Sequence, residues 1–114
     1  MTDRTLAHES LDVYQVAIQF IAVSTKLPFP SGTGVIVNQL RRAELSIPLN
    51  IAEGYARRTT KERNRFYEIA RGSAHECSAI LDASVASGVL HERMIQEGKD
   101  LLHRVVSMLV GLSR

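Results

Sequence analysis

The chain has 114 residues, enough for one domain with a hydrophobic core and too few for two ordinary domains. Its 45% apolar and 23% charged residues are typical of a globular protein and exclude an intrinsically disordered one. The net charge is only +2, but residues 41–71 hold eight basic and four acidic residues, whereas the remainder holds six and eight. We therefore expect a single domain over residues 1–114, with a local positive excess that favours an anionic partner.

Three features predict a soluble, cytoplasmic protein without membrane contact. The first ten residues contain two acids and no apolar stretch, so a secretory signal is not expected. The longest uncharged run, residues 27–40, is shorter than a membrane span and contains two prolines. The single cysteine, Cys77, cannot form an intrachain disulfide, which fits a reducing compartment.

The first segment predicts a helix over about residues 8–27, because its apolar residues recur with a period near 3.6. Proline in the following PFPSGTG run ends this helix, since it disfavours helix in the residue before it and donates no backbone hydrogen bond. The stripe expected to face the core consists of Leu11, Tyr14, Ala17, Ile18 and Ile21.

The second segment predicts a helix over about residues 34–57. Pro48 lies inside it and should bend or break the helix, because it removes one backbone hydrogen bond and crowds the carbonyl of Glu44. The stripe expected to face the core consists of Ile36, Leu40, Ala43, Ile47 and Ile51.

The third and fourth segments complete the predicted fold. Thr59 and Glu62 have capping-box spacing and Gly88 is the expected C-terminal cap, which predicts a helix over about residues 60–87. A leucine-rich stripe predicts the last helix over about residues 91–112. Four helices with short turns and no alternating strand pattern indicate an all-α, up-down-up-down four-helix bundle.

Helices one and two each carry a second apolar face, opposite the predicted core stripe. Such a face would be exposed in a monomer, and contiguous exposed apolar patches usually mark an interface. We therefore predict a homo-oligomer, with Arg42 forming either an intersubunit ion pair or an RNA contact. Alternatively, Pro48 rotates the second half of its helix and brings Leu49 inward. The predicted interface residues are Val16, Phe20, Val23, Arg42, Leu45 and Leu49.

The basic residues around the turn between helices two and three are the strongest functional signal. Such a cluster can neutralise several phosphates without reading sequence, so we predict nucleic-acid binding through Arg57, Arg58, Lys61 and Arg65. Alternatively, these side chains form a solvated rim, paired with Glu53, Glu62 and Glu68. Three Phe, three Tyr and no Trp supply base stacking weakly, which favours binding to the phosphate backbone.

No pattern in the chain indicates an enzyme, a cofactor or a metal site. The Glu-x-x-His pairs of di-iron bundles and the phosphate-binding glycine loop are both missing from the sequence. Cys77 and His75 lie on opposite faces of one predicted helix and cannot form a catalytic dyad, so we expect Cys77 to be a buried structural thiol. The four histidines lack ligand spacing.

One long ordered motif carries a family resemblance. It comprises Gln39-Leu40-Arg41-Arg42-Ala43, residues 46–54, Arg58, Lys61-Glu62, Phe66, Ile69-Ala70, Gly72-Ser73 and Glu76. This motif resembles that of the four-helix bundle proteins encoded in intervening sequences of bacterial 23S rRNA genes. The chain departs from the family pattern at Glu44, where a small apolar residue is usual, and at Cys77 and Ser78, where Leu and Glu are usual.

The resemblance implies a left-handed bundle, a homopentameric ring and no enzymatic activity. The related accessory variability proteins of diversity-generating retroelements bind nucleic acid and a reverse transcriptase. We therefore predict a non-catalytic, oligomeric bundle that binds structured RNA through its basic turn. Its expected partners are copies of itself, RNA and a nucleic-acid-processing protein. The alternative is an oligomeric scaffold for a protein partner, in which the arginines serve assembly.

Overall fold

The computed structural model describes residues 6–113, which form four α-helices and two short 3-10 turns, with no strand in this range. The helices are α1 (Asp12–Thr25), α2 (Gly34–Tyr55), α3 (Thr60–Ala86) and α4 (Gln96–Leu112). Each helix packs against the next one along the chain, and α4 also packs against α1, which closes the four-helix bundle. The predicted bundle fold is therefore confirmed.

The helix ends follow the local sequence signals closely. The Thr59 hydroxyl accepts the Glu62 backbone N–H at 3.2 Å, which caps α3 as predicted. Gly88 has a φ of 79° immediately after α3, a conformation that suits glycine at a helix C-terminus. The starts of α1 and α4 lie later than predicted, because the 3-10 turns Ala7–Ser10 and Glu92–Ile95 occupy the first residues of both segments.

Pro48 does not break α2, which continues as one helix from Gly34 to Tyr55. The proline ring is buried. Polar side chains near it form hydrogen bonds within α2 and to α3. The Asn50 side-chain amide donates to the Ser46 carbonyl at 2.8 Å, and the Ser46 hydroxyl lies 2.7 Å from that of Ser73 on α3. These bonds, together with packing against α3, support the helix around its proline.

Helix α1 buries a face that is rotated from the predicted stripe and shares the buried Ala17 with it. Phe20 is fully buried within the single chain, Val16 is buried, and Val23 packs partly buried against the same core, whereas Ile18 is 43% exposed. The reason lies in α4, where Gly98 leaves room for the Phe20 ring: a Cβ at Gly98 would lie 3.2 Å from Phe20 Cε1. Assigning Val16, Phe20 and Val23 to an exposed interface was wrong, because these side chains complete the core of the subunit itself.

Helix α2 buries most of the predicted stripe and leaves its second face in water. Leu40, Ala43, Ile47 and Ile51 are buried, whereas Leu45 and Leu49 are 54% and 56% exposed. The alternative in which Pro48 turns Leu49 inward is therefore wrong. Because α2 is continuous, Leu45 and Leu49 share one exposed strip, about one helical turn apart.

Candidate nucleic-acid interface

The candidate site lies at the end of the bundle where α2 leads into α3 through residues 56–59. Two hydrogen bonds fix the backbone of this turn: the Arg57 N–H donates to the Gly54 carbonyl at 3.0 Å, and Arg63 Nε donates to the Arg57 carbonyl at 2.7 Å. Together with the Thr59 cap, these bonds constrain the backbone that carries the basic side chains. Arg63 is not among the predicted binding residues, and the structure gives it this internal role.

Glycine at position 54 allows the two helices to approach closely beneath the turn. A Cβ on Gly54 would lie 2.9 Å from Tyr67 Cε1 and 3.0 Å from Phe66 Cβ, closer than packed carbon atoms allow. The glycine therefore brings the α2 end that carries Arg57 directly onto the Phe66 side of α3. This contact sets the spacing between the basic residues of the two helices.

Aromatic rings lie against three of the guanidinium groups. The Arg57 and Arg65 guanidinium carbons are 4.9 and 5.0 Å from the centre of the Phe66 ring, and that of Arg63 is 5.5 Å from the centre of Tyr55. These are cation–π distances, and they reduce the number of positions that each long side chain can adopt. The Phe66 ring thus contacts both Arg57, which precedes α3, and Arg65, which lies within it. The spacing of these residues in the sequence does not reveal this arrangement.

Three of the four predicted binding residues present unpaired charges to solvent. Arg58, Lys61 and Arg65 are exposed, and within residues 6–113 no carboxylate lies within ion-pair distance of any of them. Arg57 is half-buried and pairs with Glu53. The alternative, in which Glu53, Glu62 and Glu68 pair with the basic side chains in a solvated rim, therefore holds for Glu53 alone. Among the described residues, Glu62 and Glu68 form no ion pair.

The aromatic rings near the site are poorly placed for stacking on nucleic-acid bases. Tyr67 is only 3% exposed, and burial raises the pKa of its hydroxyl while the nearby Arg63 charge opposes that shift. Tyr55 and Phe66 are half-buried and lie against the arginines. The site therefore offers positive charge and N–H donors rather than free aromatic faces.

The adjacent arginines of α2 have different environments. Arg41 Nη1 lies 3.1 Å from the Glu44 carboxylate and 3.1 Å from the Ser24 hydroxyl on α1, and Glu44 is only 3% exposed. Arg42 is exposed, forms no ion pair within residues 6–113, and lies beside a polar groove between α2 and α3. Arg41 therefore links α1 and α2 inside the subunit, whereas Arg42 remains free for a partner.

Cys77 is a buried structural thiol, as predicted. Burial raises its pKa to about 12, and the negative charges of Glu44 and Glu76 contribute further to the shift. The thiol is therefore protonated near neutral pH, and a protonated thiol is a poor nucleophile. Within residues 6–113 no three histidine, cysteine or acidic side chains are grouped in a way that could hold a metal ion.

A compact bundle of four helices with a basic turn at one end defines a small all-helical protein. Its sequence matches the model of the 23S rRNA-intervening sequence protein family over residues 9–111, so the chain belongs to that family. No curated protein matches the sequence significantly. Among the helices described, none combines the length and the apolar character that crossing a membrane requires.

Proposed function

We propose that this protein is a non-catalytic, oligomeric bundle that binds the phosphate backbone of structured RNA through the basic surface. This surface comprises Arg57, Arg58, Lys61 and Arg65. The observation that carries the proposal is the set of three exposed cations that have no counterion among the described residues and surround one hydrogen-bonded turn. Unpaired cations of this kind gain most from replacing the counterions of a polyanion.

The nature of the contacts favours recognition of backbone and shape over bases. Arginine and lysine side chains bind phosphate oxygens without reading sequence, whereas specific single-strand binding relies on exposed aromatic rings. Here the rings of Tyr55 and Phe66 support arginines. A folded RNA with duplex stems presents closely spaced phosphates and therefore suits this surface better than an extended single strand.

Assembly is the second part of the proposal. Leu45 and Leu49 form an exposed apolar strip on α2, with the unpaired Arg42 one turn before Leu45. We infer that a second copy of the chain covers this strip, in a ring of five subunits as the family resemblance implies. A ring would repeat the basic surface around its axis and so increase the avidity for RNA.

The first prediction concerns the combined variant Arg57→Ala, Arg58→Ala, Lys61→Ala. Removing three phosphate contacts should weaken binding to an RNA hairpin with a long duplex stem by roughly 10- to 100-fold at about 0.1 M salt. The slope of log affinity against log salt concentration should decrease in magnitude by about 2 to 3. Fluorescence anisotropy titrations over a range of salt concentrations measure both quantities, and sedimentation checks that the variant still assembles.

The matched control removes two arginines and one lysine elsewhere: Lys26→Ala, Arg93→Ala, Arg104→Ala. All three side chains are exposed and lie outside the basic turn, so this variant separates a local site from the effect of net charge. Equal weakening by the two triple variants would contradict the proposed surface. A wild-type salt slope near zero would contradict nucleic-acid binding altogether, and loss of the oligomer in the first variant would instead assign its arginines to assembly.

The second prediction concerns the double variant Leu45→Asp, Leu49→Asp. Two carboxylates on the exposed strip should prevent subunit contact, because an interface excludes unpaired charge. The variant should sediment near the 12.6 kDa mass of one chain, whereas the wild-type protein sediments as a larger species. Met94→Asp, Leu112→Asp is the control, since these residues are exposed to a similar degree near the ends of the α4 region and should leave assembly intact. A wild-type protein that sediments as one chain at micromolar concentration would disprove the oligomer.

A further inference from the structure

We infer that the Glu53 carboxylate is an internal competitor of the ligand: it holds Arg57 in the free protein, and a backbone phosphate displaces it on binding. This inference rests on the proposed function and adds a means by which the same surface tunes its affinity for anions. Arg57 has a carboxylate partner, whereas Arg58, Lys61 and Arg65 have none among the described residues.

The pair between Arg57 and Glu53 is placed where it can be exchanged. The two residues are four apart on the last turn of α2 and the residues following it, and their side chains are 41% and 54% exposed. An exposed pair of this kind is weak, because water and salt screen its attraction. Carboxylate and phosphate oxygens use the same N–H donors of a guanidinium group, so a phosphate that binds these donors must displace Glu53.

The Arg57 side chain keeps a defined position when its partner changes. Its guanidinium group lies over the Phe66 ring, and Arg63 Nε holds its backbone carbonyl, both independently of Glu53. Glu53 accepts from one terminal nitrogen only, and the buried Arg57 Nε has no acceptor among residues 6–113. The internal pair therefore leaves part of the donor fork of Arg57 unused, so its exchange for a phosphate breaks no bidentate pair.

The competition imposes the same cost on every anion at Arg57, and an extended polyanion can offset this cost through its other contacts. A single phosphate ion that binds at Arg57 must displace Glu53, and it gains contacts with that one arginine only. A nucleic-acid backbone reaches Arg58, Lys61 and Arg65 as well, and these contacts favour its binding without displacing any internal carboxylate. Glu53 thus weakens the binding of all anions at Arg57 while leaving the advantage of a multidentate ligand intact.

The test is Glu53→Gln, which removes the charge and retains the shape of the side chain. Binding of the RNA hairpin should become about two- to fivefold tighter, the factor that loss of one exposed ion pair represents. The salt slope should steepen by about 0.9, because phosphate binding at Arg57 then frees no carboxylate that takes up a cation in its place. Glu62→Gln is the matched control, an exposed carboxylate at the same turn without an ion pair, and it should change the affinity by less than about twofold.

The same substitution in an Arg57→Ala background should have no more effect than Glu62→Gln, because the competition acts only through Arg57. Inorganic phosphate at matched ionic strength should not displace RNA from the wild-type protein. An effect of Glu53→Gln that equals that of the control, or persists without Arg57, would overturn the inference while leaving RNA binding intact. A wild-type protein without salt-dependent RNA binding would instead reject the proposed function. Circular dichroism verifies folding, and Glu53→Ala replaces Glu53→Gln if the latter does not fold.

Discussion

Replacing Phe20 by alanine is expected to lower the free energy of unfolding by about 3–5 kcal/mol. Phe20 has no exposed surface and lies against Gly98 of α4, so the substitution removes a buried ring and leaves a cavity between α1 and α4. Gly98 offers no side chain that could move into this space. Urea denaturation followed by circular dichroism, at one protein concentration for all variants, measures the change.

The matched control for Phe20 is Ile18→Ala on the same helix. Ile18 is 43% exposed, and its truncation should cost less than about 1 kcal/mol because water already reaches much of the side chain. The comparison tests the orientation of α1 directly. If Ile18→Ala were as destabilising as Phe20→Ala, α1 would present to the core the stripe that its sequence alone suggested.

Replacing Arg41 by alanine should have the second largest effect, with a loss of about 2–3 kcal/mol in the free energy of unfolding. The substitution leaves the Glu44 carboxylate, which is only 3% exposed, without its ion-pair partner among the described residues, and it removes the hydrogen bond from Arg41 to Ser24. The expected loss is smaller than for a fully buried pair, because the Arg41 side chain is 34% exposed and water can enter its place.

Two further variants assign this loss to the buried carboxylate. Arg42→Ala changes the neighbouring, exposed arginine and should alter stability by no more than about 0.5 kcal/mol. Adding Glu44→Ala to Arg41→Ala should restore part of the lost stability, because the double variant buries no unpaired charge. If Arg41→Ala and Arg42→Ala were equally mild, the link between α1 and α2 through Arg41 would contribute little.

The basic turn was located from sequence because the charges are contiguous and the helix cap is local. Arg57, Arg58, Lys61 and Arg65 surround a Thr59 cap that the spacing to Glu62 predicts, and the structure places this cap as expected. The contacts of Phe66 with Arg57 and Arg65 could not be predicted in the same way. They bring a residue of the turn and a residue of α3 to the same ring, and their geometry depends on the close approach that Gly54 permits.

The environment of Glu44 shows a similar limit. Its position at the edge of the core stripe was evident from the helical period, but its burial with Arg41 depends on Ser24, which lies on another helix. The side chains of two adjacent arginines point about 100° apart around the helix. The pattern of the sequence does not predict which residue of another helix each of them contacts. The roles of Arg41 and Arg42 were thus separated only by the packing of α1 against α2.

The sequence by itself determined four helices, the caps of α3 and the family, because hydrophobic period, turn residues and an ordered motif are properties of short stretches. Only the tertiary structure decided which face of α1 enters the core. Both faces of α1 are apolar, so burial of either would satisfy the hydrophobic effect locally. The face that carries Phe20 is buried because the Phe20 ring fills the space that Gly98 leaves on α4. Close packing between helices depends on such complementary shapes.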